Sequence, residues 1–176
     1  MRTTPILLLA ALLWPVSAVS LSSDADQPIE IEADFAELDE QEGRTVYSGN
    51  VVVVQGSIRM TGARLLVNFD DAQQLKEVYM TGSPATFRQR PDGADADITG
   101  EARNIEYFAD TSLLHLIENA RLTRGGQLFE GARINFDTER SVITARSSAA
   151  SKTPEGKPAP SGGRVRIVIP PRRKTP

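Results

Sequence analysis

Glu30, Glu32 and Asp34, spaced two apart, and the adjacent pair Asp70-Asp71 are the residues whose types invite a reaction. Two carboxylates converging on one cleft can serve as acid and base, or acid and nucleophile, on a glycosidic bond. Their settings argue otherwise. Alternation with Ile29, Ile31, Ala33 and Phe35 puts the first trio on the wet face of a strand, and Asp70-Asp71 follows an apolar run as a turn. His115 stands among Leu113, Leu114 and Leu116 with no serine or acid at motif spacing, which fits a strand histidine satisfied by a neighbour better than a general base. Gly125-Gly126 reads as a hairpin turn before a phosphate cradle. With no cysteine, one histidine and no G-x-x-x-x-G-K-[ST] loop, thiolate chemistry, His-rich metal sites and P-loop nucleotide binding all drop out. No catalytic, cofactor or metal-binding residue is assigned.

The elements behind these residues read as strands and turns. Tyr47–Val67 reads as strand, turn, strand, turn, strand: a β-branched run stops at the Gln-Gly turn, a short alternating piece follows, and Gly62 opens another. The same grammar returns 69 residues later: Asn50, Gly56, Gly62, Ala63 and Arg64 match Asn119, Gly125, Gly131, Ala132 and Arg133 in one ungapped register. Leu65 and Val67 fall on Ile134 and Phe136, so the apolar face repeats with the turns. Gly100-Glu101-Ala102-Arg103 is a looser copy between them. One hairpin unit is used several times to build an all-β body.

In chain order, Pro28–Phe35 is expected as one strand, with Ile29, Ile31, Ala33 and Phe35 on its dry side. Leu38–Gly43 connects it to a return strand from Arg44. Gln74–Thr81 and Ala85–Arg90 are expected as separate strands divided by Gly82-Ser83-Pro84, and Pro91–Asp95 as an exposed loop. Ile98–Ala109, Ser112–Ile117, Ala120–Thr123, Gln127–Phe129, Ala132–Phe136 and Ser141–Arg146 follow. Turn signals every eight to twelve residues have the spacing of a sandwich or barrel.

The ends differ from the body. Met1–Ser20 carries a basic start, an apolar run too short to span a membrane and small residues at Ser17-Ala18-Val19-Ser20, the pattern of a secretory signal cleaved after Ala18 or Ser20. The alternative is an uncleaved anchor. Residues 21–150 hold 12 Lys+Arg against 22 Asp+Glu and residues 151–176 hold 7 against 1, an acidic body with a basic tail that disfavours nucleic-acid binding. The expected divisions are a signal at 1–20, a β body at 21–147, a Ser/Ala/Pro/Gly-rich linker at 148–163, an edge strand at 164–170 and a basic tail at 171–176. Arginines alternating with apolar residues in Arg164–Ile169 suit either a strand that completes the sheet or an edge that receives a partner. Patterning alone stops at a secreted, non-enzymatic β-sheet protein whose dry face is ordinarily core.

Asp26–Asp34, Tyr47-Ser48-Gly49-Asn50-Val51, Val54-Gln55-Gly56 and Pro84-Ala85-Thr86-Phe87, in that order, resemble the OstA-like lipopolysaccharide-transport family over roughly residues 24 to 147. The resemblance implies a twisted, partly open antiparallel β-jelly roll with no substantial helix in the mature chain, parted like a clam around a lipid groove. It implies a periplasmic protein that binds lipopolysaccharide through the lipid A acyl chains. Modules of the family stack head to tail by sheet continuation, from an LptC-like inner-membrane-anchored protein to the N-terminal domain of an LptD-like outer-membrane protein. By position, Ile29, Ile31, Phe87 and Tyr107 would face the groove; parity extends the set to Phe35, Leu65, Val67, Ile134 and Phe136. The competing expectation is a structural adaptor with a filled core and no lipid.

Overall fold

The computed structural model describes Asp24 and residues 27–91, 93–147 and 164–170 of the chain. The expected signal at 1–20, linker at 148–163 and tail at 171–176 lie outside them. The described residues hold ten strands and no helix: β1 (Glu30–Glu32), β2 (Phe35–Asp39), β3 (Arg44–Gln55), β4 (Ile58–Phe69), β5 (Leu75–Gln89), β6 (Ile98–Phe108), β7 (Leu113–Arg124), β8 (Gln127–Asp137), β9 (Val142–Arg146) and β10 (Arg166–Val168). All pairings are antiparallel, in the order β1-β3-β4-β5-β6-β7-β8-β10, with β2 also on β3 and β9 also on β8. Among the described residues no pairing joins the two ends, so the sheet is open, in keeping with the expected all-β fold.

The six central strands are long because the expected breaks are bulges. Between Ser48/Arg64 and Val51/Gly62, β3 advances three residues and β4 two; Gly82-Ser83-Pro84 gives β5 two residues more than β4 or β6 at the same place. Against both β6 and β8, β7 carries one extra residue at Glu118-Asn119. A bulge bends a strand and increases its twist. Five bulges on successive pairs make a fold line across the sheet. Hence Gly82-Ser83-Pro84 lies inside β5, and Ser112–Ile117 with Ala120–Thr123 forms one strand rather than two.

The fold line divides the sheet into two layers. One runs β2-β3-β4-β5-β6-β7-β8-β9 through Arg44–Ser48, Arg64–Phe69 and their successors. The other runs β1-β3-β4-β5-β6-β7-β8-β10 through Val51–Gln55, Ile58–Gly62 and theirs. With neither helix nor second sheet to cover it, a flat sheet would leave its dry face wet. Instead Met80, Ile105, Leu116, Leu122 and Ile134 are fully buried in one cluster. Across the bend, a Cβ placed on Gly100 would stand 2.7 Å from Leu116 Cδ2. Each layer covers the other's apolar face.

The strand breaks at Ala33-Asp34, where the fold line passes, and this corrects the expected Pro28–Phe35 strand. Ile31 pairs with Val53 in one layer, whereas Phe35 pairs with Ser48 in the other. The inward side therefore moves from Ile31 to Ala36 and Leu38. Phe35 turns outward in the row of Ser48 and Arg64 and is 59 % exposed.

Candidate functional site

The inner faces form three apolar rows that run across the whole sheet. The first passes through Ala36, Tyr47, Leu65, Met80, Ile105, Leu116, Ile134 and Ala145. The second passes through Leu38, Thr45, Val67, Val78, Tyr107, Leu114, Phe136 and Ile143. In the facing layer the third passes through Ile31, Val53, Met60, Phe87, Gly100, Leu122, Phe129 and Ile167. Each runs at right angles to the strands, from the edge made by β1 and β2 to the edge made by β9 and β10. The result is an apolar trough between two layers.

The sequence-derived residues fall in this trough with two exceptions. Leu65, Val67, Phe87, Ile134 and Phe136 are buried, and Ile31 and Tyr107 pack against the same cluster while partly exposed. Ile31 shares a row with Phe87, Leu65 with Ile134, and Val67 with Tyr107 and Phe136. Ile29 precedes β1 and is half exposed, and Phe35 lies outside as described. Sequence reasoning omits Met60, Met80, Ile105, Leu116 and Leu122; the alternation of Leu114, Leu116, Ala120 and Leu122 along β7 was the available signal.

Side chains fill the middle of the trough. Space opens at its C-terminal mouth, a cleft of about 410 Å³ lined by Arg124, Gly125, Gln127 and Phe129 from one layer and Ser141 and Ile143 from the other. Arg124 Nη1 donates to the Ser141 carbonyl across this mouth at 3.0 Å. At the opposite end Asp24 is buried, accepting from Ser57 N at 2.6 Å, Ser57 Oγ at 2.8 Å and Gln89 Nε2 at 3.2 Å. It ties the start of the described chain to the β3–β4 and β5–β6 hairpins. Among the described residues the exposed large hydrophobics are Ile29, Phe35, Leu38, Val142, Ile167, Val168 and Ile169. All of them lie on or beside the four edge strands. Among the described residues both edges are apolar and have no further strand paired to them, the surface to which another strand adds.

Three of the groups that suggested chemistry, Asp34, Asp70 and His115, are otherwise engaged. Asp70 Oδ1 accepts from Ala72 N at 2.9 Å and Gln74 N at 2.8 Å and so closes the β4–β5 turn. Asp34 Oδ2 accepts from Asn50 Nδ2 at 2.9 Å. His115 lies on the outer face, where Arg133 Nη2 donates to its Nδ1 at 2.6 Å and the Glu106 carboxylate is 3.6 Å away. Burial, then the Arg133 charge, hold its imidazole below the ordinary histidine range. An acceptor Nδ1 leaves the neutral ring its proton on Nε2. Among the described residues no three His, Asp or Glu side chains gather as a metal site.

Comparison with known proteins agrees with the architecture. Residues 30–142 match the family of LptA/(LptD N-terminal domain) LPS transport proteins. The chain is 35 % identical over 175 residues to the lipopolysaccharide export system protein LptH of Pseudomonas aeruginosa, covering 98 % of this chain and 97 % of that protein. It is 30 % identical over 138 residues to the lipopolysaccharide export system protein LptA of Escherichia coli K12, covering 78 % of this chain and 74 % of that protein. The crystal structure of LptH, described as the LptA homologous periplasmic component of the lipopolysaccharide transport device of P. aeruginosa, superposes with a TM-score of 0.72 at 34 % identity, covering 85 % of this chain and 99 % of that one. On the strength of the family match and of a relative similar along almost its whole length, this chain belongs to the LptA/LptD N-terminal domain family of lipopolysaccharide transport proteins.

Proposed function

We propose that this protein is a periplasmic, non-enzymatic carrier that takes the acyl chains of lipopolysaccharide into the trough and passes them along modules joined edge to edge. The observation that carries this reading is the continuity of the inner rows, which run from one open sheet edge to the other, as from Ile31 to Ile167. Joining a second module at either edge would extend each row. The names of its relatives, which are lipopolysaccharide export proteins, point the same way. An LptC-like protein and the N-terminal domain of an LptD-like protein are the proposed neighbours at the two ends of such a row. The first 20 residues are proposed as the cleaved export signal.

The energetics fit a passive trough. Burying a methylene is worth roughly 0.8 kcal/mol, so a chain of about twelve carbons costs roughly 10 kcal/mol to expose to water. A continuous apolar surface removes that cost without any catalytic group, while the energy for net transport comes from elsewhere. Because side chains fill the centre, acyl chains enter by parting the layers about the fold line.

Photo-crosslinkers at Ile31 and Tyr107 are expected to capture lipopolysaccharide, and one at outward-facing Glu32 is not. Equal labelling at all three positions would rule out an inner trough as the route. The complete burial of Met80, Ile105 and Ile134 favours a second reading, a structural adaptor with a permanently packed interior. Native mass spectrometry of the purified protein separates the two: the carrier retains lipid and the adaptor does not.

A further inference from the structure

We propose that Arg124 is a phosphate-binding side chain at the C-terminal mouth, holding the phosphorylated head of a lipid whose acyl chain enters between Phe129 and Ile143. The proposal rests on the lipid-carrying reading and adds to it a residue that recognises the head group. Arg124 continues the inward parity of Ala120 and Leu122, and its cross-strand neighbours are Ile98 and Gln127. It is a charged residue at the end of an apolar face, where burial gives way to solvent.

Its surroundings distinguish it from nearby arginines. Arg121 is bound to Glu101 and Glu130, Arg88 and Arg90 to Asp97, and Arg166 to Glu130. Among the described residues Arg124 has no carboxylate within ion-pair distance, and its hydrogen bond to Ser141 engages one of five guanidinium donors. The remaining donors can make the bidentate contact that guanidinium forms with phosphate. At the other end of the same row, Gln55 donates to the Gln27 carbonyl at 3.2 Å and Gln89 to Asp24, so the chain itself occupies the polar groups there.

The cleft beside Arg124 is apolar farther in. Phe129 neighbours fully buried Leu122, and Ile143 neighbours buried Phe136, so an acyl chain laid on them runs straight into the core rows. Gly125 places no side chain over the opening. A guanidinium at the rim with continuous hydrocarbon behind it suits an anionic amphiphile better than a free anion or a neutral lipid.

Dye displacement by diphosphoryl lipid A and by its chemically dephosphorylated form tests this with the full chain. The wild type is expected to prefer the phosphorylated form by about tenfold or more, the scale of one charged hydrogen-bonded contact. Arg124→Gln is expected to collapse that ratio towards one, and Arg124→Lys, which keeps the charge without the planar fork, to retain part of it. Should the Gln variant not fold, the Lys variant carries the comparison. Equal binding of both forms by the wild type, or an undiminished ratio in the variants, would overturn the assignment while leaving the carrier intact. Displacement of the phosphorylated lipid by excess inorganic phosphate would overturn it as well, by showing an anion site without an apolar part. Binding of neither lipid by the wild type would remove the carrier reading itself.

Discussion

The Asn50 side-chain amide donates to the Asp34 carboxylate at 2.9 Å, joining the bulge of β3 to the break between β1 and β2. Asp34 N also donates to the Gly49 carbonyl at 2.9 Å, so one residue bridges two places where regular pairing lapses. Gly49 and Asn50 have left-handed φ of +78° and +48°, and a Cβ on Gly49 would run into the Asp34 carboxylate.

Asp34→Ala is therefore expected to lower stability by about 1 kcal/mol, the net worth of an exposed-to-half-buried hydrogen bond. In that background Asn50→Ala costs only what alanine loses to asparagine in left-handed backbone, because the hydrogen-bond partner is already gone. Gly49→Ala costs more, about 1–3 kcal/mol, by forcing a side chain into left-handed backbone against a carboxylate. Urea denaturation reads all three. Full additivity of Asp34→Ala and Asn50→Ala would show that the contact contributes nothing.

Leu116 and Gly100 make the second prediction. Leu116 is fully buried and its Cδ2 occupies the place beside Gly100 where a methyl would sit. Leu116→Ala is expected to cost about 2–5 kcal/mol. Gly100→Ala alone costs about 1–3 kcal/mol by overpacking. Combined, they cost less than Leu116→Ala alone, since the new methyl fills part of the vacated space. A double variant no more stable than the sum of the singles would mean the two layers do not meet there.

Turn chemistry was legible in the sequence, and strand continuity was not. The ungapped repeat picks out residues that do the same work twice. Asn50 and Asn119 hold left-handed bulges at φ +48° and +56°, and Gly56 and Gly125 the hairpin turns at +57° and +54°. Gly62 and Gly131 lie where a Cβ would strike a neighbouring backbone carbonyl. A bulge uses the residue types of a turn, so Gly82-Ser83-Pro84 reads as a break although β5 runs through it. Phe35 shows the limit of parity: alternation carries it onto the face of Ile31, but the fold line at Ala33-Asp34 exchanges the faces. Arg124 adjoins the Gly125-Gly126 turn, and it is the register of β7 that puts it on the inner face.

Acid should act through His115 before it reaches the carboxylates. Its folded-state affinity for a proton is depressed by burial and by Arg133, so protonation favours the unfolded chain. Stability is fully present above the unfolded histidine pKa of about 6.5 and declines as pH falls from there through the lower folded value. Carboxylates held low by arginines, such as Asp97 and Glu130, begin to contribute only in the more acidic carboxylate range. His115→Gln is expected to flatten the melting temperature between about pH 7 and pH 5. An identical slope in the variant would assign the effect to other groups.

The two edges of the sheet differ in charge as well as in sequence. Glu30, Glu32, Glu37 and Asp39 lie on β1 and β2, whereas Arg146 and Arg166 lie on β9 and β10. Two different edges meet as a heterologous contact, which propagates in one direction and does not close on itself as a symmetric dimer does. Opposite charges favour joining the acidic edge of one copy to the basic edge of the next and oppose joining like edges. The average mass seen by light scattering should thus rise with protein concentration and fall as salt screens the attraction. Ile167→Pro removes a backbone donor and stiffens the strand that would present the edge, so it is expected to shorten the assemblies at low salt while the melting temperature of the body stays close to that of the wild type. Assemblies of undiminished length in that variant would place the contact on β9 alone.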